Sequence, residues 1–209
     1  MSIHRKMLLA LGALATAVAW SGSATAAPSL MQYQQEWWQW VMTIPSSDNP
    51  VYDKTGNRCG VGQRGDAWFL AGSTGGKVTR KCTVPAGVQL LVPVVNNFCF
   101  PDAAYTDDAC TTDTIGFIDS FASGAILLEV DGNAVTPTRV SDTGDFAFAV
   151  GYNGYGGVKP GVYRATVADG YWALLDPLSA GRHTVHIVAQ GPMFSLDVTY
   201  DLDVVTPTN

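Results

Sequence analysis

The chain has 209 residues, of which 14% are charged and 47% hydrophobic, with a formal net charge of −6. An ordinary globular domain carries about 25% charged residues, so the texture is unusually neutral. It is too apolar for a disordered chain and too acidic for an electrostatic grip on nucleic acid or anionic lipid.

His4-Arg5-Lys6, the apolar run Met7–Trp20 and the small-residue site Ala24-Thr25-Ala26 read as a secretory signal peptide over residues 1–26. Such a leader is too short to span as a mature helix. No twin-arginine pair or lipobox cysteine accompanies it. No later run approaches the roughly 18 apolar residues of a membrane span, so none is expected in the mature chain. Residues 27–209 are expected to form one domain, since about 180 residues lies within the single-domain range. All four cysteines fall in that part. An even number in an exported chain points to two disulfides. Of the three pairings, Cys59–Cys82 and Cys99–Cys110 close the shortest loops. No C-x-x-C or H-x-x-x-H spacing supports zinc instead.

The domain opens on a helix. Ser29-Leu30-Met31-Gln32 fits a capping box, and Ile44-Pro45 ends the segment because proline lacks an N–H and disfavours helical geometry before it. Tyr33, Trp37, Trp40, Val41 and Ile44 share one face, widened by Met31, Trp38 and Met42. Gln32, Gln35, Glu36, Gln39 and Thr43 form a narrow polar strip. So broad an apolar face must lie against the body of the protein.

Strand signals follow at Trp68–Ala71, Val78–Val84 and Val88–Val95. The last is apolar at nearly every position, as in a strand covered on both sides. Thr111–Phe121 reads as a short second helix. Ala125–Val130 and Ala134–Val140 flank Asp131-Gly132-Asn133, whose residues tolerate positive φ, and so read as a hairpin. Phe146–Val150, Val162–Val167, His183–Ala189 and Phe194–Val204 complete the set. In the last, Phe194, Leu196, Val198, Tyr200 and Leu202 alternate with Ser195, Asp197, Thr199, Asp201 and Asp203, the mark of a half-buried antiparallel strand. The expected fold is mainly β: an antiparallel β-sandwich, jelly-roll-like, with one N-terminal amphipathic helix.

Chemistry-bearing residues are sparse. Gly72–Lys77 imitates a phosphate loop but lacks the first glycine and the Ser/Thr after the lysine. His183 and His186, spaced by three on one strand, face opposite ways. His183 joins Val185 and Ile187, and His186 joins Thr184 and Val188. Glu36 and Glu129 are the two glutamates. Glu129 and His186, with an aspartate, are the candidate catalytic groups of a hydrolase or lyase. Asp102, Asp107, Asp108 and Asp113 are candidate calcium ligands, since oxygen-rich loops suit that ion; no cofactor is otherwise required. Tyr152 and Tyr155 lie in the glycine-rich stretch Gly151–Gly161. With Tyr171 and Trp172 they are the candidate ligand platform, because loop aromatics offer adaptable contact surface.

The segments WWQWVMTIP with NP following, GNRCGVGQRGDAWFLAG, CTVPAG and GRHTVH resemble a group of exported bacterial proteins with no established activity. The specific part is Gly56-x-x-Cys59-x-x-Gly62-Gln63-x-Gly65-x-x-Trp68-Phe69-Leu70-Ala71-Gly72. The resemblance implies export to the periplasm or beyond, a disulfide and a β-rich domain, and assigns no catalytic residue. The leading expectation is an exported, non-catalytic binding or envelope-associated protein that recognises a glycan or small ligand through loop aromatics. A small secreted polysaccharide hydrolase or lyase is the alternative, and a self-assembling surface component the third reading.

Overall fold

The computed structural model describes residues 28–102 and 105–207; the leader read over residues 1–26 lies outside them. Helix α1 spans Leu30–Thr43. Its capping box forms as expected: Ser29 Oγ accepts from Gln32 N–H, and Ser29 N–H donates to Gln32 Oε1 at 2.7 Å. Ile44 turns extended before Pro45.

The strands are β1 (Ala67–Phe69), β2 (Gly76–Pro85), β3 (Gln89–Cys99), β4 (Ala125–Val130), β5 (Asn133–Ala134), β6 (Thr138–Asp142), β7 (Phe146–Val150), β8 (Gly161–Ala165), β9 (Val167–Leu175), β10 (Gly181–Gln190) and β11 (Ser195–Val205). Helix α2 (Asp107–Asp119) lies between β3 and β4. The chain is mainly β. A four-stranded sheet has the order β1-β3-β9-β6, and a five-stranded sheet the order β2-β11-β10-β4-β5. β7 and β8 pair as a separate hairpin. Pairing is antiparallel except for β1 with β3 and β2 with β11, which are parallel. Those two pairs depart from the wholly antiparallel expectation because each joins strands that no hairpin connects.

The expected hairpin after β4 is short. Asn133 and Ala134 pair back on β4, and Val135 N–H donates to Leu128 O at 2.8 Å. Past Pro137 the chain leaves that sheet, and β6 pairs with β9 in the other one. β9 is a central strand where the sequence pattern signals none.

Two apolar clusters fill the interior. One joins the inward side chains of the five-stranded sheet (Cys82, Val185, Ile187, Val198, Leu202) to Leu90, Val92 and Ala173 of the four-stranded sheet and to Ile118 of α2. The other joins α1 and the β7–β8 hairpin to the opposite face, through Leu91, Ala168 and Trp172. The four-stranded sheet is therefore covered on both faces, which is why β3 does not alternate. Gln34 of α1 is buried yet satisfied, donating to Ala168 O at 3.2 Å and accepting from the Trp172 indole at 2.7 Å.

Both expected disulfides are present, Cys59–Cys82 and Cys99–Cys110. The first ties the loop before β1 to β2, and the second ties the end of β3 to α2. Replacing Cys59 and Cys82 by serine is expected to lower unfolding free energy by about 3 kcal/mol, the loop-closure entropy restored to the denatured chain. Urea titration of the oxidised variant and wild type checks this.

Candidate functional site

β1 pairs with β3 only as far as Leu91, whereas β9 pairs with β3 on its other side from Leu90 to Cys99. Beyond Leu91 one edge of β3 is left open among the described residues. A cleft of about 330 Å³ runs along it, touched by all six residues from Pro93 to Phe98. Successive strand side chains point to opposite faces, so a cavity that meets six in a row lies along the strand's edge rather than over one face. Trp37 and Trp38 of α1 wall one side; Phe117 of α2, Phe194 just before β11 and Leu196 at its start wall the other.

The walls are rigid and aromatic. Trp38 stacks on Phe98 with ring centroids 4.0 Å apart and meets Trp37 edge-on at 4.9 Å. Phe117 and Phe194 meet edge-on at 6.0 Å. Trp37 is fixed by its indole N–H, donated to Leu70 O at 2.8 Å. Trp40 and Trp172 also have partners for theirs. Trp38 does not: its Nε1–H is shielded from solvent and bonded to nothing, and the same holds for Asn96 Nδ2. Buried donors are normally paired, and leaving one unmade costs about 1–3 kcal/mol. Trp68 Nε1 and Thr166 Oγ1 are likewise unpaired, but neither lines the cleft. No charged side chain lines it either. Chemically, the cleft offers uncharged, largely aromatic surface, and two of its lining residues, Trp38 and Asn96, carry a shielded donor that has no partner.

Of the four expected platform residues, one reaches this cleft. Tyr155 lines it and stacks on Tyr52 at 5.3 Å; burial pushes its hydroxyl pKa up to about 12. Tyr152 stands in solvent, 79% exposed. Tyr171 lies on β9 and packs partly buried against the core between the sheets. Trp172 must be corrected: it is fully buried in the core beneath α1. It belongs to the unforeseen strand β9, not to a loop. Nothing in the sequence joins the cleft's Trp38 to Asn96, which lie far apart and read as a helix flank and the end of a strand.

The candidate catalytic residues do come together, on the outer face of the five-stranded sheet. His186 Nδ1 is 3.4 Å from Glu129 Oε2, and its Nε2 is 3.0 Å from Asp197 Oδ1. Lys77 Nζ lies 3.1 Å from the other Asp197 oxygen. Hydrogen bonds from His186 and Lys77 hold the Asp197 pKa below its usual range against the opposing effect of desolvation. Both imidazole nitrogens thus face carboxylates, which leaves neither turned to a substrate. The row resembles the cross-strand charge pairs that stabilise sheet surfaces, and Lys81 opposite Asp201 and Arg182 opposite Asp203 continue the pattern.

The candidate calcium ligands do not converge. Asp107 pairs with Arg164 at 3.1 Å, Asp113 accepts from the Tyr105 hydroxyl, and Asp102 accepts from Tyr105 N–H at 3.0 Å. Asp108 is exposed on the first turn of α2. Among the described residues no group of three or more His, Cys, Asp or Glu side chains could hold a metal ion.

His183 latches the β4–β5 turn. Its Nδ1 lies 2.7 Å from Asp131 Oδ2 and its Nε2 2.9 Å from Ser179 O, while Asp131 Oδ1 accepts from Thr184 N–H. The hydrogen bond to Asp131 raises the His183 pKa above 6.5. The same bond lowers that of Asp131 below 3.8. The histidine's contribution to stability is therefore complete below pH 6.5 and lost as pH rises through its folded value. That of Asp131 is present above 3.8 and lost as pH falls through its own folded value. A His183→Gln variant is expected to be less stable than wild type near pH 5 and to converge on it by about pH 9. Urea midpoints at the two pH values check this.

No protein-family model matches the chain, and no curated protein matches it. Among solved structures, the solution structure of Amebosin aligns with 62% of this chain and 96% of its own at 9% identity, with a TM-score of 0.20. That likeness is too slight to bear on fold or function.

Proposed function

We propose that this is an exported, non-catalytic binding or envelope-associated protein, built as a disulfide-stapled layered β-sandwich, whose ligand occupies the cleft along the open edge of β3. One observation carries the reading: an uncharged aromatic cleft follows an unpaired strand edge, and two of the residues lining it, Trp38 and Asn96, each keep a solvent-shielded donor without a partner. The cleft's volume falls at the lower end of the range for ligand sites, which are mostly apolar with a few placed polar groups. Export rests on the leader pattern and agrees with two formed disulfides, which persist in oxidising compartments. No helix among the described residues is long and apolar enough to cross a membrane.

The cleft favours an uncharged ligand. It holds no counter-ion, and burying an unpaired charge costs more than an apolar wall returns. A flat apolar body with a carbonyl oxygen fits; an oligosaccharide, rich in donors of its own, fits less well. The hydrolase or lyase reading gains little from the Glu129–His186–Asp197 row, whose imidazole is engaged on both sides. Calorimetric titration with a neutral aromatic amide, N-benzylacetamide, tests the proposal. Saturable binding is expected, weakened about 5–10-fold in Trp38→Phe and in Asn96→Ala, since each variant removes one donor. Binding that neither variant alters, or no binding of any neutral acceptor, overturns it.

A further inference from the structure

Resting on that reading of the cleft, we infer that its natural occupant is an extended, uncharged peptide segment of another protein, added to β3 as an extra strand. The first ground is the edge itself. Cys99 O accepts from Thr166 N–H, on the β9 side. Backbone direction alternates along a strand, so the N–H and C=O of Phe98 and Asn96 turn the other way, toward the cleft. The close approach of Gly170 to Asn96 agrees, since facing residues lie nearest where their backbones do not bond each other. No strand pairs with this edge past Leu91 among the described residues. An unpaired strand edge is a template for a further strand, and proteins that leave one uncovered invite pairing.

The second ground is the enclosure. Pro93–Phe98 extends about 17 Å at roughly 3.3 Å per residue, between the Trp37–Trp38 wall and the Phe117–Phe194 wall. A strand laid on the edge sends alternate side chains toward the two walls, so apolar residues at successive positions each find an aromatic surface. The third ground is the chemistry. Trp38 Nε1 and Asn96 Nδ2, on residues lining the cleft, are donors without partners, and the lining carries no charge. Peptide carbonyls are neutral acceptors repeated along the strand. A compact ligand with one oxygen would use the walls and a donor but leave the strand edge unmatched.

The test uses the oxidised protein and the blocked hexapeptide acetyl-Ser-Val-Thr-Val-Thr-Ser-amide. A second peptide of the same sequence carries N-methyl groups at alternate residues, in both possible phases. Calorimetry and amide hydrogen exchange are read together. The plain peptide is expected to bind and to slow exchange at Asn96 and Phe98. One phase of N-methylation, by deleting the donors that face β3, is expected to weaken binding at least about tenfold. Equal binding of both methylated phases overturns the added strand while leaving the cleft as a ligand site. So does binding of N-benzylacetamide or of an oligosaccharide at Trp38 with no binding of the peptide. A peptide-free dimer with Asn96 and Phe98 already protected also overturns it, placing a second copy on the edge. If neither peptide nor N-benzylacetamide binds, this inference and the reading beneath it fall together.

Discussion

Replacing Arg80 by methionine is expected to lower the unfolding free energy by about 3–5 kcal/mol, as removal of a buried, fully bonded charge does. Arg80 is 1% exposed and points inward from β2. Its guanidinium donates to the carbonyls of Val51, Asp53, Ala71 and Gly72 and to the Tyr200 hydroxyl, at 2.6–3.2 Å. No carboxylate lies within ion-pairing distance of it among the described residues, so carbonyl dipoles hold the charge. Three chain segments meet there: the loop after α1, the stretch leading from β1, and β11, whose Tyr200 pairs in register with Arg80. Methionine keeps much of the volume but leaves the carbonyls without a donor. Tyr200→Phe, which gives up only the hydroxyl shared with Arg80 and the Ala71 backbone, is expected to cost about 1–2 kcal/mol. Urea unfolding of the three proteins decides. A loss below about 1 kcal/mol for Arg80→Met would show that the segments do not depend on this charge. Gly72 lines the cleft, so the same variant is also expected to loosen its rim.

Gly170→Ala is the second large effect. A Cβ at Gly170 would come within 2.7 Å of Val95 O and of Asn96 Cβ and within 2.8 Å of Asn96 Cα. Two of these are backbone atoms of the neighbouring central strand, and they cannot give as a side-chain tip can. β3 and β9 would have to part beside the irregularity between Pro93 and Val95. Overpacking of this kind costs about 1–3 kcal/mol, and more where backbone must move; a loss at the top of that range is expected. Because Asn96 is displaced, the variant is also expected to bind cleft ligands more weakly even where it remains folded. Thermal unfolding with a parallel titration separates the two effects, and an unchanged protein would contradict the close approach of β9 to β3 at Gly170.

Gly170 also shows why the sequence conceals part of the fold. Asp169-Gly170 has the composition of a turn, and a turn there removes β9 from the pattern. Yet Asp169 is wholly buried, gripped by Arg139 through two contacts of 3.0 and 2.6 Å. That bond, chiefly, pushes the Arg139 pKa above its ordinary value, aided by Asp119 and opposed by desolvation. The glycine is there for close approach rather than for a bend. A buried carboxylate paired with a half-buried arginine from a strand distant in sequence leaves no periodic trace. Where structure is local, the pattern serves well. The capping box, the stop at Ile44-Pro45, the nearest-neighbour disulfides, the alternation of β11 and the opposed faces of His183 and His186 can all be read from adjacent residues. The cleft cannot, since its walls come from α1, α2 and β11 and its floor from an edge defined by where β1 stops. A helical wheel puts Trp37 on the central apolar face and Trp38 on its flank, but it cannot show that Leu70 O, supplied by distant chain, satisfies the first indole while the second has no partner.

The most direct measurement is the indole N–H spectrum of the oxidised protein during titration with N-benzylacetamide. Trp38 and Trp68 both carry shielded, unpaired indole donors, but only Trp38 lines the cleft. A saturable downfield shift of the Trp38 resonance is expected as it gains an acceptor, with Trp68 unmoved. A stationary Trp38 signal, or an equal movement of both, would contradict the cleft as the ligand site.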